Sequence, residues 1–408
     1  MSETLSVLVA ARNEEERIGE TVAALRRDFP TAEVIVVDGC SRDGTVARAE
    51  EAGALAIRID RPGKGEALSA GERAAAPGPL LLCDADLRGS LVPLAETGAD
   101  LAVAAFRRRV GGGFGVAKGV GRALIRLRAG VAPREPLSGQ RYLSPRARAA
   151  CFPLAPGFGC EVRMTIDALR ASVSVVEVAL DLDHRATGRD VSGFVHRGRQ
   201  LRDMLLAAGP LAVNHRGLRL PLVGWLFGLR RDLAIVLISV IGAADDAWSG
   251  PERGFGSHLR TGRTTGVAKL VGIPLMALWR TRSIGGALLV GLAANFLNQL
   301  DTKPGRCLKA YLLGSLLVRG SSGGAPAKSA VLLLPYDLRE RVMLGDAGSN
   351  ALGAVVGLKS VGRFHGWGRW AAIGMLAGLN LFGERRSLGE LIERTPVLRE
   401  LDAWGRAQ

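Results

Sequence analysis

Aromatic residues are scarce in this 408-residue chain, at 5%. That leaves little for the base-stacking platforms with which single-strand binders hold nucleic acid. The five cysteines lie scattered, with no C-x-x-C pair and no metal-ligand spacing, so a reduced compartment is the expected home. No signal peptide is expected, because "MSETLSVLVAARNEEER" has no basic n-region and turns acidic after a short apolar run. A G-x-x-x-x-G-K-[ST] phosphate loop is missing, "DGCSRDG" does not complete a G-x-G-x-x-G fingerprint, and no internal repeat is visible. Acids are outnumbered: 39 face 54 lysines and arginines, a net charge of +15. The excess calls for an anionic partner, and nucleic acid, acidic headgroups and phosphorylated substrates all satisfy it. No recognised nucleic-acid motif accompanies the charge, so the reading carries no nucleic-acid partner.

What is present divides the chain in two. The length suggests two or three domains. The mean hydropathy of +0.17 is high for a chain that is 23% charged, and the apolar excess lies mostly beyond residue 205. In the first half "LSVLVAA" (Leu5–Ala11), "AEVIVVD" (Ala32–Asp38), "ALAIRID" (Ala54–Asp60) and "PLLLCDAD" (Pro79–Asp86) read as strands. Between the first two, "NEEERIGETVAALRRDF" sets Ile18, Val22 and Leu25 at helical spacing, with acids first and arginines last, as the helix dipole favours. "SRDGTVARAEEAG" reads as a helix capped by Ser41 or Asp43 and stopped at Gly53, and "KGEALSAGERAAA" as another. This alternation predicts an α/β domain whose parallel sheet is covered on both faces.

In such a sheet ligands bind where the carboxyl ends of the strands open. The polar residues expected there are Arg12, Asn13 and Glu14, then Asp38, and finally Asp84 and Asp86. The last two end the apolar run "LLLCDADL", where like charges repel and desolvation penalises each, so a positive group is expected between them. Lys64 sits between two glycines at a helix entry, a good place to hold phosphate.

"VLVAARNEEERIGETV", "VIVVDGCSRDGT" and "LLLCDADL", in that order, resemble the family 2-type glycosyltransferases of the GT-A fold, over roughly residues 5–205. Within that superfamily "GKGEAL", "PLSGQR" (Pro136–Arg141), "GFGCEVRMTIDAL" (Gly157–Leu169) and "LDLDHRATGRD" (Leu180–Asp190) are similar to the glucosyl-3-phosphoglycerate synthase type. The resemblance implies a GT-A domain over 1–205. Its D-x-D acids, Asp84 and Asp86, would hold Mg2+ or Mn2+ against the diphosphate of a nucleotide-sugar, with Asp86 also counted as catalytic. It implies His184 as the remaining protein ligand. Ala11, Arg12, Asn13, Glu14 and Asp38 would frame the nucleotide, with Lys64 on the nucleotide or its phosphates and Ser138 and Gly139 in the donor site. Glu161 would face the sugar hydroxyls. It is also the candidate carboxylate base for an inverting reaction; retention would need none, and the two courses stay open. "RRRVGGGFGVAKG" lies where the relatives grip the acceptor phosphate. The Gly-Arg-Val-Thr run expected there is absent, while Arg107 to Arg109 and Lys118 favour an anionic acceptor.

Further on, "GRDVSGFVHRGRQLRDMLLAAG" sets Phe194, Leu201 and Leu205 on one helical face with Arg197, Arg199 and Arg202 on others. It fits a helix on an anionic membrane surface and, equally, a charged helix closing the first domain. Charge-free stretches follow at Leu233–Ala244, Ser283–Leu300, Ala310–Val318 and Ala371–Gly383. Of these Ser283–Leu300 alone approaches the about 20 residues that a crossing takes. "RGSSGGAPAK" (Arg319–Lys328) reads as a flexible loop.

"NHRG", "GAADDAWSG", "NFLNQLDTKPGR" and "MLGDAGSNALG" (Met343–Gly353), in that order, resemble the polyprenyl-phosphate sugar-1-phosphate transferases. That likeness implies an α-helical, membrane-associated domain over 206–408. Asp245 and Asp246 would be catalytic there and Asp346 a metal ligand, with Asn298 and Asp301 beside them. "LDTKPGR" stands where that family has D-G-x-D-G-L, and its histidine-rich loop is absent. The expectation is therefore a metal-dependent hexosyltransferase at the cytoplasmic face of the cell membrane, using a UDP- or GDP-linked sugar and a phosphorylated or polyprenyl-linked acceptor. The alternative is a UDP-sugar:polyprenyl-phosphate sugar-1-phosphate transferase carried by the C-terminal half. An oligomer is compatible with either.

Overall fold

The computed structural model describes residues 4–107, 115–182, 191–214, 216–229, 232–248, 264–318 and 324–406. The chain forms two compact units, 1–209 with 217–219, and 210–216 with 220–408, against a boundary expected at residue 205.

The first unit is built on a seven-stranded sheet of β1 (Ser6–Ala11), β2 (Glu33–Asp38), β3 (Leu55–Arg58), β4 (Leu80–Asp84), β5 (Leu101–Phe106), β6 (Arg141–Leu143) and β7 (Val175–Leu180), in the order β3-β2-β1-β4-β6-β5-β7. Pairing is parallel except around β6, which runs antiparallel to both β4 and β5. Alternation along the strands sorts their side chains. Val7, Val9, Val34, Val36 and Leu81 join Ile18, Val22 and Leu25 of α1 (Ile18–Asp28) in one core. Leu8, Ile35, Val37, Leu80 and Leu82 face the opposite core, with Ala67 and Leu68 of α3 (Lys64–Ala74, after α2 at Thr45–Glu51) and Met164 of α7 (Cys160–Arg170, after α4 at Val92–Ala95, α5 at Val116–Ala129 and α6 at Pro145–Cys151). Burying each such Val or Leu stabilises by about 1.5–3 kcal/mol, so both faces have to be covered. The acids Glu14 to Glu16 precede α1, leaving Glu20 in its first turn.

The helix α8 (Val191–Ala208) closes this unit. Met204 and Ala208, with Leu201 beside them, pack on Ile125 of α5 (Val116–Ala129) and on Val162 and Ile166 of α7. Leu205 is exposed, so the face expected from Leu201 and Leu205 is rotated. Leu201, Met204 and Ala208 fall at i, i+3 and i+7, so they share one helical face.

The second unit is helical, with Leu233–Trp248, Thr264–Thr281, Ile284–Leu300, Arg306–Leu317, Gly324–Leu338, Gly345–Arg363 and Gly366–Arg385 as its main elements. Small residues bring two of them close: a Cβ on Gly353 would lie 2.4 Å from Ala294 Cα. The segment expected as a loop at 319–328 is helical from Gly324, since Pro326 falls in the first turn, where its missing N–H costs nothing. Ile284–Leu300 has 17 residues, and at about 1.5 Å per residue it is shorter than the ~30 Å hydrocarbon core. Among the described residues, no helix is long and apolar enough to cross a membrane.

Candidate active site

Three strand ends meet at the carboxyl edge of the sheet. Register places Ala11 opposite Asp38 and Ala10 opposite Asp84, so these residues lie in neighbouring rows across adjacent strands. Asp38 is buried, and its carboxylate accepts the Ser41 N–H at 3.2 Å. Asn13 takes a left-handed φ of 55°, a conformation that Asn tolerates better than most residues. Its N–H donates to Ser41 Oγ at 2.8 Å and its Oδ1 accepts from Arg42 N at 3.0 Å. Glu14 N–H donates to Thr45 Oγ1 at 2.9 Å, and the Arg12 side chain is exposed. The loop that would frame a nucleotide is therefore fixed by its own hydrogen bonds.

Asp84, the last residue of β4, is the centre of a charged cluster. Lys64 Nζ, at the first position of α3, donates to Asp84 Oδ1 at 2.5 Å and lies 2.8 Å from Glu161 Oε1 in the first turn of α7. Gln140 Nε2 donates to Asp84 Oδ2 at 2.9 Å, and Ser138 Oγ donates to Gln140 Oε1 at 3.3 Å. Burial alone would push the Lys64 pKa down; the carboxylates of Asp84 and Glu161 outweigh it and hold the ammonium well above its ordinary value. The second Glu161 oxygen accepts from Cys160 Sγ at 3.1 Å, and burial pushes that thiol well up. At Asp84 the positive partner is the protein's own Lys64.

Backbone approach makes this possible. A Cβ on Gly139 would stand 2.4 Å from Lys64 Nζ and 2.5 Å from Asp84 Oδ2. A Cβ on Gly65 would overlap Ala155 O at 1.8 Å, so the start of α3 lies directly against the chain leading into α7. Behind Gly139, the fully buried Arg141 donates to Ser138 O, Pro136 O and Thr165 Oγ1 at 2.8–3.2 Å, holding "PLSGQR" in place. Ala85, between the two acids, accepts from buried Thr21 Oγ1 at 2.8 Å. Asp86 sits half-buried in the turn after β4.

Asp84 and Asp86 are hard oxygen donors one residue apart, suited to Mg2+ or Mn2+, and an ammonium already stands in for a cation at Asp84. Among the described residues no cluster of three His, Cys, Asp or Glu side chains offers a complete metal site. His184, Arg108 and Arg109 lie outside the described residues, as do the side chains of Phe194 and Arg197. Gln140, Thr21, Ser41 and Thr45 were missed. Gln140 had a signal, since it directly follows the Ser-Gly pair singled out in "PLSGQR".

The second unit assembles its own acids. Asp246 accepts the N–H groups of Asp346 and Ala347 at 2.8 and 3.0 Å, capping the helix Gly345–Arg363. Lys269 pairs with Asp346 and lies 3.5 Å from Asp245 Oδ2. Asn298, with its amide turned to suit its neighbours, donates to Asp346 Oδ1 at 2.9 Å and accepts from Lys269. Burial pushes Asp346 up to about 7 against the pull of Lys269, and it pushes Asp301 well above the carboxylate range, helped by Asp337, Asp346 and Asp246. The structure thus brings Asp245, Asp246, Asp346 and Asn298 together around Lys269, which sequence reasoning missed.

Residues 6–119 match the model of the glycosyl transferase family 2. More particularly, the chain is similar to glucosyl-3-phosphoglycerate synthase of Mycolicibacterium paratuberculosis, 31% identical over 199 residues, 40% of this chain and 59% of that protein. The same enzyme of Mycolicibacterium smegmatis is 30% identical over 196 residues, covering 40% of this chain and 63% of its own length. The chain thus spans about three-fifths of the length of these relatives. A crystal structure of the Mycobacterium tuberculosis enzyme in complex with Mn2+, UDP and glucosyl-3-phosphoglycerate aligns with a TM-score of 0.43 at 28% identity, covering 51% of this chain and 80% of that one. These matches fall in the N-terminal half, and they lend the phosphotransferase-like reading of the second half no support.

Proposed function

We propose that this chain is a metal-dependent glycosyltransferase moving a sugar from a UDP-linked donor to a phosphorylated acceptor. By similarity to the relatives the donor is UDP-glucose and the acceptor phosphoglycerate, with a lipid-linked phosphate as the second candidate. The observation that carries the reading is the convergence of Lys64 and Gln140 on Asp84, with Glu161 on the same lysine, at the carboxyl edge of the sheet, adjacent to the strand pair that ends in Ala11 and Asp38. Asp84 and Asp86 would hold Mg2+ or Mn2+, which when bound neutralises the departing diphosphate. Asp38 and the Asn13 loop orient the nucleotide. Lys64 offers a positive charge to the phosphates, and Gln140 keeps the Asp84 carboxylate aimed. Glu161 would face the sugar hydroxyls, its two oxygens engaged by Lys64 and Cys160.

Incubation with Mg2+ and a panel of nucleotide-sugars tests this directly. UDP release that a chelator abolishes is expected, and release that is indifferent to chelation would sink the metal assignment. A second reading, phosphotransfer by the second unit, draws on Asp245, Asp246 and Asp346 around Lys269 and requires UMP to appear instead.

The proposal also sets the chain at the cytoplasmic face of the cell membrane, with the second unit lying against lipid without spanning it. Support comes from large apolar side chains on its helices that stand exposed, Trp367 at 90%, Leu317 at 83% and Leu332 at 73%. Co-sedimentation with anionic liposomes is expected; full recovery in the supernatant would remove this part.

A further inference from the structure

We infer that Lys64 is a built-in counter-ion that competes with the metal for Asp84 and thereby couples metal binding to donor binding. This rests on the reading under Proposed function. Both Asp84 oxygens are already taken, Oδ1 by the Lys64 ammonium at 2.5 Å and Oδ2 by the Gln140 amide at 2.9 Å. Gln140 is fully buried and anchored through Ser138, so it stays. Lys64 has a flexible four-carbon stem and a second partner, Glu161 at 2.8 Å, so it can leave Asp84 without losing all its compensation.

A divalent ion beside that ammonium meets like-charge repulsion in a site where Lys64 is 17% exposed and water screens little. The Lys64 ammonium would therefore have to leave Asp84 before that carboxylate could hold a divalent ion. A diphosphate supplies the negative charge that receives the departing lysine. Metal alone then binds weakly, the diphosphate alone finds Lys64 occupied, and the two together satisfy every charge. Coupling of this kind is reciprocal: each ligand raises the affinity of the other by the same factor.

The test is Mn2+ titration of the full-length protein by calorimetry, with and without UDP, in wild type, Lys64→Met, Lys64→Arg and Asp84→Asn. Lys64→Met is expected to bind Mn2+ alone about tenfold more tightly than wild type, and the factor by which UDP tightens Mn2+ binding is expected to fall about tenfold. Lys64→Arg, which keeps the charge, is expected to preserve the coupling. Lys64→Met binding Mn2+ no more tightly than wild type, while Asp84→Asn loses it, overturns the counter-ion inference and leaves the metal site standing. Asp84→Asn binding as wild type does overturns the metal assignment itself. Should Lys64→Met fail to fold, the lysine Nζ resonance of the wild-type protein under Mg2+ and UDP carries the test. Loss of the Asp84-paired ammonium signal supports displacement, and its persistence at saturation overturns it.

Discussion

Each unit of this molecule gathers acids around a lysine, but the acids come from different places. In the first, Asp84 ends an apolar strand and Glu161 opens a helix, and Lys64 joins them from the start of another helix. In the second, Asp245 and Asp246 lie near the end of Leu233–Trp248 and Asp346 at the start of Gly345–Arg363, with Lys269 between. The carboxylates of Asp84 and Glu161 outweigh burial at Lys64, whereas burial outweighs Lys269 at Asp346 and pushes that carboxyl up to about 7. A parallel sheet presents its acids at an open edge, where a charged ligand can reach them. Packed helix ends bury theirs, and burial raises the pKa of those carboxyls.

The widest contrast is expected between Asp86→Ala and Asp246→Ala, measured by nucleotide release. The first is expected to lower release by about 10^3-fold or more, on the order of 4 kcal/mol, with the thermal melt unchanged. The second is expected to stay within about twofold. Equal losses would mean that the two acid groups serve one reaction.

Two glycines sharpen the comparison next. Gly139→Ala pushes on side-chain ends, Lys64 Nζ and Asp84 Oδ2, and is expected to lower kcat/KM about 30-fold with a nearly unchanged melt. Gly353→Ala pushes on the backbone of Ala294 and is expected to cost about 1–3 kcal/mol of stability in urea unfolding.

Asp337 tests the buried acids by pH. Burial pushes it up to about 6 although it accepts the Gly305 N–H at 2.8 Å. A raised carboxyl binds its proton more tightly folded than unfolded. Its contribution to stability is therefore greatest below about pH 4 and is lost as the pH rises through about 6. Asp337→Asn is expected to be more stable than wild type by about 2 kcal/mol at about pH 8, the difference vanishing below about pH 4. A constant difference across that range would mean that the substitution acts through packing. The smallest effect is expected at the Lys118–Glu135 pair, whose 44% exposed lysine leaves Glu135→Gln within about 1 kcal/mol of wild type.

The strands of the first unit were legible because a parallel sheet buried on both faces demands unbroken β-branched runs. The acids were legible for the complementary reason, since nothing in packing calls for carboxylates at the end of "LLLC". The partner of Lys64 was not, because Glu161 is brought from 97 positions away (161 − 64) by the seating of α7 against α3. Periodicity reports one element at a time. The same limit rotated the buried face of α8, where Met204 and Ala208 do the packing that leucines seemed to promise. Lys269 escaped notice because it is one charge within "TTGVAKLVGIPLMALW", and its partners belong to other helices.

The close seating of Gly65 on Ala155 has a mechanical meaning. Because the peptide after Lys64 touches the chain just ahead of Cys160 and Glu161, the roots of the lysine and the glutamate cannot drift apart without prising two helices open. Strand β4 is no part of that weld. A swing of the Lys64 side chain is then the smallest rearrangement available there, and side-chain rotations of that kind are far faster than the movement of whole helices.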